Sequence, residues 1–365
     1  MLNLSNSNHD DCVDCKKCMV GCPMLSTFTD SPKNLLQDFK KNKPTSHVSF
    51  SCATCNYCYS VCPQDISFKE LFFHAKKEHA QDISVLKNFG YKSILFHQKN
   101  SFSKLFTAKT KFHEGKYKHM AFMPGCALSS YSPDMLKKIY THLNEAMPGI
   151  NVLQQCCGQP TRIVGDMRRF YELYAKLQGD IKAMKVDTVV TACENCYMSL
   201  KEYSPSIKVV SLYEVLADIG IPKERENIYS NFEKVALHDP CPTRYESNLQ
   251  ESVRKVLSLL GISYEEFTRN RERTECCGSG GMLELTNPQL ALSQMQSRAN
   301  QTTCKSIVSY CQSCAESMSR GGKNGLHILD FVFGDIKSKE FQQKRNGVVM
   351  KWYNRYKSKK MVEKL

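Results

Sequence analysis

"TECCGSGG" (residues 274–281) and "QQCCGQPT" (154–161) each set two cysteines side by side ahead of a glycine. Around these pairs the chain can be laid over itself. "HMAFMPGCALSSYSPDML" parallels "KVALHDPCPTRYESNLQ", "DTVVTACENCYMSL" parallels "KSIVSYCQSCAESM", and "IKVVSLYEVLADIG" parallels "LHILDFVFGDI". Cys126 falls on Cys241, Cys156 and Cys157 on Cys276 and Cys277, and Cys193 and Cys196 on Cys311 and Cys314, at offsets of 115, 120 and 118 residues. A register that drifts this little marks two homologous units in tandem, expected over residues 119–225 and 226–336.

Inside each unit a short apolar run precedes every cysteine group and a one-sided helical pattern follows it. Leu136, Ile139, Tyr140 and Leu143 predict a helix capped by Ser132 and Pro133, and Phe170, Tyr174, Leu177, Ile181 and Met184 predict another. Strands alternating with helices predict a parallel α/β sheet, with the cysteines at the carboxyl ends of strands, where such folds hold ligands. Helix N-termini opening just beyond favour an anionic group.

Each unit thus gathers five thiols, one more than a zinc site or an ordinary cubane uses. Adjacent cysteines reach two metal atoms only if the chain bends sharply between them, which is the place for Gly158 and Gly278. A vicinal pair alone would also suit a redox disulfide, and a CxxC alone a thioredoxin-like motif. Finding all five positions twice argues against both.

Two further motifs stand earlier. "CVDCKKCMVGCP" places Cys12, Cys15, Cys18 and Cys22 before Pro23, and "CATCNYCYSVCP" places Cys52, Cys55, Cys58 and Cys62 before Pro63. Two-residue gaps let three thiolates wrap one cubane, while the fourth, beside proline, reaches the neighbouring cluster. The expected sets are therefore crossed: Cys12, Cys15, Cys18 and Cys62 for one [4Fe-4S] cubane, and Cys52, Cys55, Cys58 and Cys22 for the other. Zinc has no use for the trailing Cys-Pro. Between the motifs "SPKNLLQDFKKNKP" predicts a helix capped by Ser31, with Pro32 first, Leu35, Leu36 and Phe39 on one face, and Pro44 beyond its end. Phe68, Leu71, Phe72 and Ala75 predict another. Residues 1–86 resemble an all-helical two-cluster ferredoxin.

The full pattern, C…CCG…CxxC twice behind two CxxCxxCxxxCP motifs, resembles the cysteine-rich (CCG) domain iron-sulfur oxidoreductases. Its layout is most like a heterodisulfide reductase catalytic subunit fused to its ferredoxin partner. That resemblance spans roughly residues 10 to 335 and implies a helical ferredoxin domain followed by two tandem α/β CCG domains related by pseudo-twofold symmetry. It further implies that Cys126, Cys156, Cys157, Cys193 and Cys196 hold one noncubane [4Fe-4S] cluster. Cys241, Cys276, Cys277, Cys311 and Cys314 would hold the other, and the two would split a disulfide between them. The 29 residues between Cys126 and Cys156, against 34 between Cys241 and Cys276, are short for that family. Of the 19 cysteines only Cys304 is left over, and it is read as a core residue beside "SIVSY".

Composition sets the remaining bounds. In a chain of 365 residues, 41% hydrophobic and 24% charged, no apolar run approaches the length that crosses a bilayer. The start, "MLNLSNSNHDDC", lacks the basic and apolar regions of a secretory signal, so the expected location is cytoplasmic. Disulfides do not persist there, which again favours metal ligation. The formal charge of +14 would fall as anionic clusters are bound, and nucleic acid is not an expected partner. Ten Lys or Arg crowd Lys337 to Leu365, where Val349, Trp352, Tyr353 and Tyr356 share a face if the segment is helical. Two readings stay open: a C-terminal helix packed on the domain, or a docking element for a partner or for the inner face of the membrane. Residues 87–118 read as a basic linker. His238, in "LHDPC", reads as a structural histidine or as a partner of the cluster.

Disulfide reduction takes two electrons while iron-sulfur clusters pass one at a time, so an electron-donor protein, a flavoprotein or ferredoxin, is expected. The alternative within the superfamily is a non-catalytic electron-transfer subunit of a flavin-dependent 2-hydroxy acid or glycerol-3-phosphate dehydrogenase. No flavin-binding glycine fingerprint is apparent, so a flavin would sit on a partner.

Overall fold

The computed structural model describes residues 11–111, 114–334, 336, 341 and 346–365. Most of the N-terminal stretch read above as lacking a signal, and residues 337–340 and 342–345 of the basic tail, lie outside the described residues. The N-terminal part is helical. Ser31 accepts a hydrogen bond from the Asn34 amide at 3.1 Å and starts the helix Pro32–Lys41, whose Leu35, Leu36 and Phe39 are buried. The helix Phe68–His79 is capped in the same way by Ser67 and buries Phe68, Leu71, Phe72 and Ala75.

Two small sheets follow. The first contains β1 (Ala108–Lys109), β2 (Met120–Met123), β3 (Asn151–Gln154), β4 (Thr188–Thr191) and β5 (Lys208–Ser211), in the order β1-β3-β2-β4-β5. The second contains β6 (Val235–His238), β7 (Tyr264–Glu266), β8 (Ser306–Ser309) and β9 (Asn324–His327), in the order β7-β6-β8-β9. Apart from β1, which runs antiparallel to β3, the pairs are parallel. Strands β2 and β6 thus hold the same place in their sheets, each flanked by the two strands that lead to the later cysteines. The expected helices are present as Pro133–Ala146, started by the Ser132 side chain, and Met167–Ala183. One apolar core runs through both units, with Phe122 and Val190 of the first sheet in the same cluster as Leu237 and Val308 of the second.

Two segments differ from expectation. Within the stretch read as a basic linker over residues 87–118, Tyr91–Ser101 is a helix that buries Tyr91, Ile94, Gln98 and Ser101, and β1 extends the first sheet. Their basic side chains mask a buried face. The C-terminal helix, Val348–Val362, packs on the helices Gly125–Tyr131 and Pro133–Ala146, as one of the two open readings has it, but the four residues read as one face divide, with Trp352 turned inward and Val349 and Tyr353 outward. Val349 is 85% and Tyr353 50% exposed, while Arg355, Ser358, Lys359 and Val362 are buried. Trp352 packs edge-on to Phe96 and beside Phe106, with ring centroids 5.8 and 4.7 Å apart. Polar bonds hold this helix: Arg355 donates to the Ser101 carbonyl at 3.3 Å and Ser358 to the Ser129 carbonyl at 2.9 Å.

Candidate metal centres

The eight N-terminal cysteines gather in two adjoining hollows. Cys12, Cys15, Cys18 and Cys62 line one, walled by Ile66 and Phe68. Cys22, Cys52, Cys55 and Cys58 line the next, and Cys58 touches both. Burial pushes the Cys18 thiol up to about 12, with the charges of Cys58, Cys62 and Cys12 adding to it. Burial and then Cys55 and Cys52 push Cys58 up to about 12, and burial raises Cys22 well above its ordinary value, with Cys55 adding. Thiols so placed ionise only against a compensating cation, which is the donor chemistry of an iron-sulfur group. Lys76, fully buried, donates to the Cys52 carbonyl at 2.7 Å, and burial lowers its pKa to about 8.

In the first unit Cys126 lies in the first turn of the helix Gly125–Tyr131, Cys156 and Cys157 follow β3, and Cys193 caps the helix Glu194–Tyr203 that carries Cys196. The sulfurs form a connected series, Cys126 to Cys156, Cys156 to Cys157, Cys157 to Cys196 and Cys196 to Cys193. In the second unit Cys241 meets Cys276, Cys276 meets Cys277, Cys277 lies 3.2 Å from Cys314, and Cys314 meets Cys311. All five sequence-selected cysteines of each unit are therefore brought together at the carboxyl ends of the strands. Gly158 and Gly278 follow the pairs at φ +80° and +96°, turning their amides back onto Cys156 and Cys276 at 3.4 and 3.3 Å. A Cβ at Gly278 would meet the Ala291 carbonyl oxygen at 2.8 Å, so the bend leaves no room for a side chain. Cys304 stands apart beside the core around Ile307, its amide bonded to Thr302.

Several neighbours, all but His238 without a signal in the sequence, surround these sites. The helix Tyr91–Ser101 brings a His97 nitrogen within 4.8 Å of the Cys126 and Cys156 sulfurs and the Gln98 amide to 3.9 Å from Cys156. Arg355, from the C-terminal helix, places its charge against Cys126. Glu194 of the first unit is buried against Cys311 of the second; burial, then Cys311 and Cys193, raise its carboxyl well above the carboxylate range. His238 is fully buried, and its Nε2 has no hydrogen-bond partner among the described residues, so it is not a structural histidine with both nitrogens satisfied. Burial and the Arg298 guanidinium push its pKa down to about 3.

The ferredoxin-like segment seats on the second unit. Cys276 lines the same hollow as Cys22, Cys52, Cys55 and Cys58, and its thiol is in hydrogen-bond contact with Cys55. Arg244, buried, donates to the Cys55 carbonyl at 3.0 Å and the Thr274 carbonyl at 2.7 Å, tying the two motifs together. Backbone approach is close: a Cβ on Gly281 would lie 2.4 Å from the Cys52 carbonyl oxygen.

This geometry agrees with family matches. The cysteine-rich domain model matches residues 120–201 and 235–319, and the 4Fe-4S dicluster domain model matches residues 11–67. The chain belongs to the CCG-domain iron-sulfur proteins. Among its relatives in that group, an uncharacterized iron-sulfur protein of Methanococcus maripaludis is 26% identical over 338 residues, covering 83% of this chain and 66% of the relative. A subunit of the dihydromethanophenazine:CoB-CoM heterodisulfide reductase of Methanosarcina acetivorans is 26% identical over 333 residues, covering 80% and 76%. The glycolate oxidase iron-sulfur subunit of Escherichia coli is 22% identical over 392 residues, covering 88% and 92%. The chain thus spans just under two thirds of the length of the Methanococcus maripaludis relative. No helix of its described residues is long and apolar enough to cross a membrane.

Proposed function

We propose that the chain takes single electrons from a donor protein, a flavoprotein or ferredoxin, and carries them inward through its cysteine sets in a fixed order. They enter at Cys12, Cys15, Cys18 and Cys62, continue at Cys52, Cys55, Cys58 and Cys22, pass to the second CCG site and end at the first. The two CCG sites together reduce a disulfide or similar thiol substrate. Each filled CCG site would be a noncubane [4Fe-4S] cluster that accepts one electron. Two electrons and two protons convert one disulfide to two thiols, so two acceptors side by side match the stoichiometry.

The observation that carries this order is the contact of Cys55 with Cys276, which leaves no gap between the ferredoxin set and the second CCG set. Glu194 on Cys311 then joins the second set to the first. Completeness of both five-cysteine sets supports a catalytic over a purely conducting role. The other reading, an electron-transfer subunit that serves a flavin-dependent dehydrogenase, is supported by the likeness to the glycolate oxidase iron-sulfur subunit. The chain, loaded with iron and sulfide without oxygen, is to be mixed with a reduced one-electron dye and a set of disulfides. Thiol release by the chain alone is the expected result. Turnover that appears only with a flavoprotein partner selects the second reading, and a fully loaded chain inert in both mixtures refutes the catalytic one. The exposed Val348, Val349 and Tyr353 beside the basic residues of the C-terminal helix leave that helix as the proposed docking face for a partner or the inner membrane surface.

A further inference from the structure

His238 ends β6 three residues ahead of Cys241 and is fully buried, and one of its nitrogens lies within 4.8 Å of the Cys277 and Cys314 sulfurs. Its Nδ1 is taken, because Nε of the buried Arg298 reaches it at 3.2 Å. A guanidinium can only donate, so Nδ1 accepts. An imidazolium would carry hydrogen on both nitrogens; a ring whose Nδ1 accepts is therefore neutral, with its single proton on Nε2. That N–H is buried and finds no partner among the described residues. Arg298 cannot turn away to release the ring: it donates to the Gln301 side chain at 2.6 Å and the Arg269 carbonyl at 2.9 Å, and lies 3.8 Å over the Phe267 ring.

The first unit has no histidine at this strand end; its neighbouring imidazole, His97, comes from the helix Tyr91–Ser101. Met123 stands where His238 does, three residues ahead of Cys126, and it is equally buried. Gathering five cysteines therefore does not require a histidine at this strand end, and a buried, unpaired N–H is costly unless something meets it.

We propose that His238 Nε2–H donates a hydrogen bond to sulfur in the group held by the second CCG site and makes that site more readily reduced than it would be without the bond. This rests on the reading that the site holds an iron-sulfur cluster. A donor aimed at cluster sulfur favours the reduced, more negative form and raises the potential. The same geometry excludes the ring as an iron ligand, because its only unprotonated nitrogen is occupied by Arg298.

The test uses the full chain loaded with iron and sulfide, with iron analysis, redox titration followed by electron paramagnetic resonance, and double-resonance spectra in H2O and D2O. Expected in the unaltered chain, besides amide protons at both nests, is one exchangeable imidazole proton coupled to one of the two CCG-site signals. His238→Met, which copies the first unit, should keep about sixteen irons, lose that coupling and shift that one signal to a more negative potential. His238→Gln, which keeps an N–H donor, should return it part of the way. An unmoved potential in His238→Met with the coupling intact overturns the proposal, as does a directly bonded nitrogen in the unaltered chain. Should His238→Met lose iron, the spectrum of the unaltered chain and His238→Gln decide. If the second site of the unaltered chain holds no cluster, the underlying reading fails on the iron analysis alone.

Discussion

Gly281→Ala is the sharpest test of how the ferredoxin-like segment meets the second CCG unit. Gly281 has φ +66°, and a Cβ there would lie 2.4 Å from the Cys52 carbonyl oxygen and 2.8 Å from the Ala53 Cα. Holding an L-residue at positive φ costs about 1–2 kcal/mol, and overpacking adds about 1–3 kcal/mol. Both contacts are backbone atoms, so no flexible side chain can yield. Retreat of the Cys52 carbonyl would also strain its bond from the buried Lys76 ammonium, 2.7 Å long. The sum is a loss of roughly 2–5 kcal/mol, with the Cys55 to Cys276 contact opened. Denaturant unfolding of the loaded chain should record the loss, and rapid-freeze paramagnetic resonance should show electrons held back on the ferredoxin sets. Gly179→Ala is the control: nothing lies within 4 Å of its Cβ, and in the interior of Met167–Ala183 it should gain roughly 1 kcal/mol. Equal stability and equal transfer rates for Gly281→Ala and the unaltered chain would refute this close backbone interface.

Two further outcomes are expected. Arg254 bridges the buried Asp239 at 2.7 and 2.9 Å and Glu266 at 2.9 Å, so Arg254→Met should cost about 3–5 kcal/mol by leaving a buried carboxylate unpaired. Burial opposes ionisation of Asp239, but Arg254, the Arg271 amide and the Tyr310 hydroxyl hold its pKa below the ordinary value. A folded pKa below the unfolded one, about 3.9, means the stabilisation is complete above that pH and drains as pH falls through the folded value. Acid titration of the unaltered chain should show this loss, whereas in Arg254→Met burial raises the folded pKa of Asp239, so the variant should lose less stability over the same pH range; coincident acid curves would be contrary evidence. Iron analysis supplies the second outcome: Cys277→Ser should lose about four of roughly sixteen irons, whereas Cys304→Ser should lose none. Iron loss in the Cys304 variant would mean that the ligand sets are drawn wrongly.

What was legible in the sequence is what local chemistry writes there. Ser31 and Ser132 cap helices as their spacing predicts, and the repeat placed β2 and β6, with their trailing cysteines, in corresponding positions. The surroundings of the sites were not legible, because they come from elements with no metal-binding pattern of their own. His97 and Gln98 lie in a stretch that reads as a basic linker, and Arg355 in a tail whose expected apolar face divides between the two sides of the helix. Periodicity fails there for a physical reason. When a helix is held by Arg355 and Ser358 bonded to backbone carbonyls, much of its buried face is polar, and apolar residues such as Val349 and Tyr353 can face solvent while Trp352 and Val362 pack inward.

Duplication gave two near-identical nests, and the later-packed elements made them unequal. The first is lined from outside by His97, Gln98 and Arg355, while the second receives Cys55 at its edge and keeps His238 and Arg298 within its own unit. Two equal acceptors would give an arriving electron no preferred resting place. The His238 proton stabilises an electron at the ferredoxin-facing site, and the cationic Arg355 near Cys126, with the Gln98 amide beside Cys156, offers a second stabilised position beyond it. Since Arg355 is held between the Ser101 carbonyl and the first sheet, this inequality depends on the C-terminal helix staying docked. Whatever loosens that helix should therefore alter the first CCG site before it alters the second.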